Sequence, residues 1–242
     1  MPSFRRYIIR LGLTVSGFSL GLTIGGIPVQ IERVNLESSK EVESMSRFCI
    51  DSFYSDERGK GKSFLARNML NAGLHTLRKA QLMEISLNYD CFRRIYVAKT
   101  KTNERRIIGC CEVVEDEIDL SPLTDATINI RGVGNRSTRP RLIIENLCVA
   151  KEFRRAGLGS YLLHECERAS LKWPLGNGEV YAQVDDDNPN AYSLFTSQGY
   201  QFLFESECKR TTFSGGTLLM RQESMTKKTL RKSISSTRDI LL

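Results

Sequence analysis

The chain has 242 residues, a formal net charge of +7 and seven cysteines. That length suits one large domain or two small ones, and 40% apolar with 26% charged residues is ordinary for a soluble globular protein. No uninterrupted apolar run reaches about 18 residues, which argues against a membrane span. The cysteines are odd in number and irregularly spaced, Cys110 and Cys111 are adjacent, and no C-x-x-C occurs, so a reduced compartment fits better than a disulfide framework. The two histidines, His75 and His164, have no partner at metal-ligand spacing and read as structural, and no metal is implied.

The charge is concentrated at the ends. Residues 1–31 carry +3 and no acid, residues 222–242 carry +3, and the remainder is left with +1. The body is thus nearly neutral and does not advertise a phosphate-backbone partner, so no nucleic acid is expected for it.

Residues 1–27 are basic, acid-free and contain Ser, Thr and Gly, a composition that suits an organelle-targeting segment; a secretory signal or a merely surface-packed terminus are the alternatives. The folded domain is expected over 28–221, and 222–242 is expected to be a basic, flexible tail. Within the domain, "VQIERVN" alternates as a first strand, and 38–54 has helical spacing through Val42, Met45, Phe48 and Cys49. A long helical region follows, with Gly73 in its middle. "RIYVAKT" and "RRIIGCCEVVED" read as a hairpin turning around Thr102 and Asn103. The turn-rich stretch 119–140 is too long for an idle connector. Then come a buried strand "RLIIENLCVA", a helix over 157–173, a strand "GEVYAQV", a helix "NPNAYSLFTSQG", a strand "YQFLFESE" and a last strand "GTLLMRQ". The order is mixed α and β.

The chemistry concentrates where the strand "ENLCVA" meets "KEFRRAGLGS". A strand ending in a glycine turn that opens a helix gathers backbone N–H groups around one point, a setting for phosphate. Gly157 and Gly159 permit close approach because they lack Cβ, and Arg154 and Arg155 add charge. Alone, the pattern also fits a capped helix with a basic face.

A second block some thirty residues on, "VYAQVDDDNPNAYSLFTSQGYQFL", changes that balance. Together the two blocks resemble the GCN5-related N-acetyltransferase superfamily, whose motifs run L-x-V-x-x-x-x-R-x-x-G-x-G and N-x-x-A-x-x-L-Y-x-x-x-G-F. Leu147, Val149, Arg154, Gly157 and Gly159 fall on the first motif, and Asn188, Ala191, Leu194, Gly199 and Tyr200 on the second. The long helical region and the 119–140 loop look more like the plastid acetyltransferases of plants and algae.

The resemblance implies an α+β fold with a mostly antiparallel sheet of six or seven strands flanked by helices. Strands 141–149 and 179–184 would be parallel neighbours that diverge. It implies acetyl-CoA as cosubstrate, with the pantetheine arm along Leu147, Cys148 and Val149 and the pyrophosphate on the amides of Arg154, Arg155, Ala156, Gly157, Leu158, Gly159 and Ser160. Asn188 would bond the arm further along. The implied reaction is direct attack of an amine, with no acyl-enzyme, so Cys148 packs rather than reacts. The acceptors implied are protein or peptide amines, and the location implied is the plastid, with mitochondrion or cytoplasm as alternatives.

The match breaks at one catalytic position: the family's usual acid, the Tyr of "L-Y", is Phe195 here. Tyr192, one helical turn earlier, is a substitute candidate or an ordinary helix residue. Glu145 shares the strand parity of Leu147 and Val149 and is a candidate base, or else a partner for a nearby arginine. The loss of the tyrosine leaves open an acetyl-CoA-binding sensor or scaffold. Asp185, Asp186 and Asp187 leave open a small-polyamine substrate, or mark a solvated strand end.

Overall fold

The computed structural model describes residues 22–54, 64–87, 93–102, 104–120, 138–173, 178–213 and 220–234. These form β1 (Leu22–Ile24), β2 (Ile27–Arg33), α1 (Ser39–Tyr54), α2 (Phe64–Leu87), β3 (Arg93–Thr100), β4 (Ile107–Asp119), β5 (Thr138–Val149), α3 (Leu158–Ser170), β6 (Glu179–Asp185), α4 (Pro189–Ser197), β7 (Gln201–Phe213) and β8 (Met220–Ser233). The described strands make one sheet in the order β1-β2-β3-β4-β5-β6-β8-β7. Every neighbour is antiparallel except the parallel pair β5 and β6.

The two faces of the sheet have separate cores. On one, Val42, Met45 and Cys49 of α1 and Leu82 of α2 pack on Ile95, Val97, Cys110 and Cys148. On the other, Leu158, Leu162, Leu163, Cys166 and Ala169 of α3 pack on Ile108, Cys111, Val113, Leu142, Ile144, Val180 and Ala182. Central strands covered on both faces have nearly continuous apolar runs, and residues 107–114 of β4 are buried throughout. Gly109 admits α3 against this strand: an added Cβ would lie 2.8 Å from Leu162 Cδ1 and 3.3 Å from the Cys148 carbonyl.

The expected mixed, mostly antiparallel sheet with one diverging parallel pair is present, with eight described strands rather than six or seven. Two boundaries move. Leu22–Ile24 already pair with Ile27–Val29, so the sheet begins inside the stretch read as a targeting segment; residues 1–21 lie outside the described residues. The stretch read as a tail is also part of the sheet, because residues 222–233 belong to β8, inserted between β6 and β7 and paired to both. Its polar appearance has a physical cause. Leu230 and Thr229 are fully buried, while three basic side chains pair with acids of neighbouring elements. Lys228 meets Asp186 at 2.5 Å, Arg231 meets Glu179 at 3.2 Å, and Lys232 meets Glu167 at 2.9 Å. The 119–140 loop lies mostly outside the described residues; its ends continue β4 and β5 as an antiparallel pair, Asp119 opposite Thr138.

A strand in the sheet interior differs from a tail in what its loss does. Leu230→Ala is expected to lower the unfolding free energy by about 2–5 kcal/mol in urea denaturation, the usual cost of emptying a buried leucine site. A flexible tail would give no change.

Candidate active site

The site is set by a β-bulge in β5. Cys110 stands opposite Cys148 and Glu112 opposite Glu145, so two steps along β4 match three along β5. The extra residue falls at Asn146, whose φ is 50°; asparagine is among the few non-glycine residues enriched there. β5 pairs with β6 only at Ile143↔Tyr181 and Ile144↔Ala182, and then keeps company with β4 alone as far as Val149. Strand-edge groups beyond Ile144 are therefore turned to a gap rather than to a ladder, the setting in which an extended ligand adds like a strand.

The bulge also revises the parity argument. An unbroken strand would put Glu145 on the same face as Leu147 and Val149. With one extra residue, Leu147 and Val149 pack with the α3-side core, whereas Glu145 lies in the row with Glu112 on the α1–α2 side. There Arg93 Nη1 sits 3.5 Å from Glu145 Oε2 and 2.6 Å from Glu112 Oε2. Arg78 of α2 binds the other Glu112 oxygen. Glu112 is fully buried between the two guanidinium groups. Burial raises the Glu145 carboxyl above its ordinary pKa; Arg93 opposes the rise, and Glu112 and Asp116 add to it. This Arg78–Glu112–Arg93 cluster was not singled out from sequence, although one acid inside the apolar run "IIGCCEVV" is a usable signal.

At the end of β5, Arg155 (φ 63°) and Gly157 (φ 82°) both adopt the left-handed conformation. They bend the chain so that α3 begins at Leu158, with Gly157 as its N-cap. Ala156 and Leu158 are buried, while Gly157, Gly159 and Ser160 are partly open. Gly159 is a close-approach position: an added Cβ would come 3.1 Å from Leu194 Cδ2 and 3.9 Å from Val149 Cγ2. Arg154 is exposed, and its Nε donates to the Val149 carbonyl at 2.9 Å, closing the strand end.

Helix α4 faces the same region through Leu194. Asn188 is its N-cap, with Oδ1 accepting from the Ala191 N–H at 3.1 Å and Pro189 following at the first helical position. Phe195 is buried and meets Tyr200 edge-to-face at 5.0 Å. Tyr192 is half-buried, with Lys228 Nζ 5.3 Å from its ring centre. Asp186 at the end of β6 is held by Lys228. A cleft of about 900 Å³ adjoins the 150–154 turn from the α1 side, lined among others by Phe48, Ser52, Ile107, Ala150 and Lys151.

His75 approaches Glu43, and His164 approaches Glu167, each at 3.3 Å. Among the described residues no group of three or more His, Cys, Asp or Glu is arranged to hold a metal ion. Among them, too, no helix is long and apolar enough to cross a membrane.

The parallel strand pair ends at Ile144, and a left-handed glycine turn and a helix N-terminus follow at the end of β5. The sequence profile of the acetyltransferase (GNAT) family matches residues 76–200, just over half of the chain, and the chain belongs to that family. A chloroplastic GCN5-related N-acetyltransferase 7 of Arabidopsis thaliana is 36% identical over 61 residues, which is 25% of this chain and 22% of that protein. Two crystal structures of Arabidopsis thaliana NAA60 share the fold: one with a bisubstrate analogue at 13% identity and one with acetyl-CoA at 14%. Each has a TM-score of 0.51 and covers 85% of this chain and 98% of its own. A GNAT-family acetyltransferase from Streptococcus pneumoniae has the same TM-score at 14% identity, covering 85% and 99%.

The buried carboxylate beneath the site has a measurable signature. Glu112→Gln leaves two buried guanidinium groups without their shared counter-charge and is expected to cost about 3–5 kcal/mol in urea denaturation. A loss below about 1 kcal/mol would mean that the cluster is solvated.

Proposed function

We propose that this chain moves the acetyl group of acetyl-CoA directly onto an amine of a protein or peptide, an N-terminal α-amine, a lysine ε-amine or both. The observation that carries the proposal is the separation of β5 from β6 after Ile144, next to the left-handed turn at Arg155 and Gly157. In this reading the gap along Leu147, Cys148 and Val149 takes the pantetheine arm, and the backbone of residues 154–160 takes the pyrophosphate. Close approach at Gly159, where a Cβ would crowd Leu194, fits that use. Asn188 commits Oδ1 to the helix cap, so only its amide nitrogen is assigned to the arm.

The thioester supplies an activated acetyl group with a thiolate leaving group; the chain supplies position and proton transfer. An amide near Leu147 polarises the thioester carbonyl. Glu145, buried enough to be a stronger base than an ordinary carboxylate, accepts the proton from the attacking amine directly or through water. Arg93, bridging Glu145 and Glu112, holds that carboxylate in place. Phe195 offers no proton, and Tyr192 is assigned to protonate the departing thiolate. The Phe195 ring, closed into the core against Tyr200, also supports a second reading: a fold that binds acetyl-CoA as a sensor and turns over slowly.

The acceptor class favoured is a protein amine over a polyamine, because Asp186 of the aspartate run is already paired with Lys228. We assign the chain to the plastid. The chloroplastic relative supports this over the mitochondrion or cytoplasm, and the targeting segment would end before Leu22.

Incubating the full chain with acetyl-CoA and a mixed peptide library, read by mass spectrometry, tests the proposal. Acetylated peptides above an enzyme-free control are expected, and the modified atom separates α-amine from lysine. Acetyl-CoA binding with no acetylated peptide would support the sensor reading instead. Replacing Tyr192 by Phe is expected to lower kcat by about 100-fold or more, within the range of general acid catalysis; an unchanged rate would remove Tyr192 from the mechanism.

The pH profile tests Glu145. The base acts ionised, so kcat/KM falls as pH drops through the raised Glu145 pKa, in addition to the fall caused by protonating the amine. Arg93→Gln removes the charge opposing that rise, so this limb is expected to move to higher pH. Glu145→Gln is expected to abolish it and cost about 100- to 10,000-fold. A limb that stays in place in both variants would sink the assignment.

A further inference from the structure

Three thiols meet on the α1 side of the sheet, behind the strand assigned to acetyl-CoA. Cys110 Sγ lies 3.2 Å from Cys148 Sγ and 3.9 Å from Cys49 Sγ. All three are buried. Cys110 is the middle member, directly opposite Cys148 in the β4–β5 ladder and next to the bulge, and its thiol donates to the Asn146 carbonyl at 3.2 Å. Phe48, Asp51 and Ser52, which surround Cys49 on α1, line the 900 Å³ cleft, and the Ser52 hydroxyl neighbours the Cys148 thiol. Small molecules in the cleft are therefore one side chain away from sulfur.

We propose that Cys49, Cys110 and Cys148 form an oxidative modification site for hydrogen peroxide, ending in a Cys110–Cys148 disulfide that weakens acetyl-CoA binding. Cys49 is the entry thiol. Hydrogen bonding with the neighbouring thiols lowers its pKa against the effect of burial, and the Arg78 charge adds to this. Burial foremost pushes the Cys110 and Cys148 thiols up. The Cys49 thiolate attacks one peroxide oxygen; the O–O bond breaks, Cys49 becomes a sulfenic acid and hydroxide leaves. The Cys110 sulfur attacks the Cys49 sulfur, and the sulfenic oxygen departs with the Cys110 proton as water. Cys148 gives its proton to the hydroxide released first, attacks Cys110 and returns Cys49 as thiolate. Two thiols have lost two electrons, and one peroxide has become two waters.

The final bond draws two sulfurs from 3.2 Å to about 2.05 Å. That pull acts on Cys148, between Leu147 and Val149, and moves β5 towards β4. The effect on acetyl-CoA rests on the proposed role of β5; the disulfide does not. The test treats the reduced full chain with one equivalent of hydrogen peroxide. Disulfides are then mapped by mass spectrometry, and the acetyl-CoA Kd is measured before treatment, after it and after dithiothreitol. A Cys110–Cys148 bond and a Kd raised about tenfold or more, restored by reduction, are expected. Cys110→Ala is expected to bind acetyl-CoA equally with and without peroxide. The map on the natural sequence decides the site even if that variant does not fold. A disulfide placed elsewhere, no disulfide, or a Cys110–Cys148 bond with unchanged Kd would overturn the proposal. A reduced chain that does not bind acetyl-CoA would overturn the functional reading and the claimed effect on binding, while the map still judges the disulfide.

Discussion

One extra residue in β5 organises the candidate site. Asn146 takes a left-handed conformation, and from there the strand stays with β4 and leaves β6. A parallel pair without the bulge would continue its ladder and close the gap. With it, the strand has no β6 partner after Ile144, Glu145 and Leu147 on either side of Asn146 are turned to opposite faces, and the chain runs on into the 154–160 turn. In the proposed reading the fold makes a ligand slot mainly from backbone, so few side-chain identities are needed to specify it.

The ionic arrangement around the slot is equally economical. On the α1–α2 side, Glu112 is buried between Arg78 and Arg93, and Arg93 extends the network to Glu145. Such a cluster is costly to bury, and its benefit in this account is a carboxylate held at the edge of the slot. On the other side, β8 secures β6 and α4: Lys228 reaches Asp186 and lies over Tyr192, and Lys232 reaches the buried Glu167 of α3. Among the described residues of this stretch, Lys228, Arg231 and Lys232 are thus the complement of acids at 186, 179 and 167.

Much of this was legible in the chain. The element order from α1 to β7 follows from periodicity and the glycine turn from Gly157 and Gly159, while the parallel pair is what the family resemblance implies. The misses have specific causes. β8 begins within the last strand expected from sequence but continues through Lys228, Arg231 and Lys232, whose partners Asp186, Glu179 and Glu167 lie up to 65 residues earlier, so the local composition there resembles a solvated tail. β1 is three residues long and has little pattern to read. The parity of Glu145 was misjudged because alternation assumes an unbroken pleat; the asparagine in "ENL" was the local hint of a left-handed residue. Glu112 is matched by Arg78, 34 residues earlier, a pairing that no local pattern reveals.

The central claim is that acetyl-CoA lies along β5 beyond the bulge and on the turn that follows. Amide hydrogen exchange with and without acetyl-CoA tests it most directly, because those backbone N–H groups would exchange their solvent for ligand. The account predicts new protection confined to peptides spanning 145–149 and 154–160, with 22–33 unchanged. Protection confined to the α1 side of the 900 Å³ cleft, or none at saturating acetyl-CoA, would contradict it.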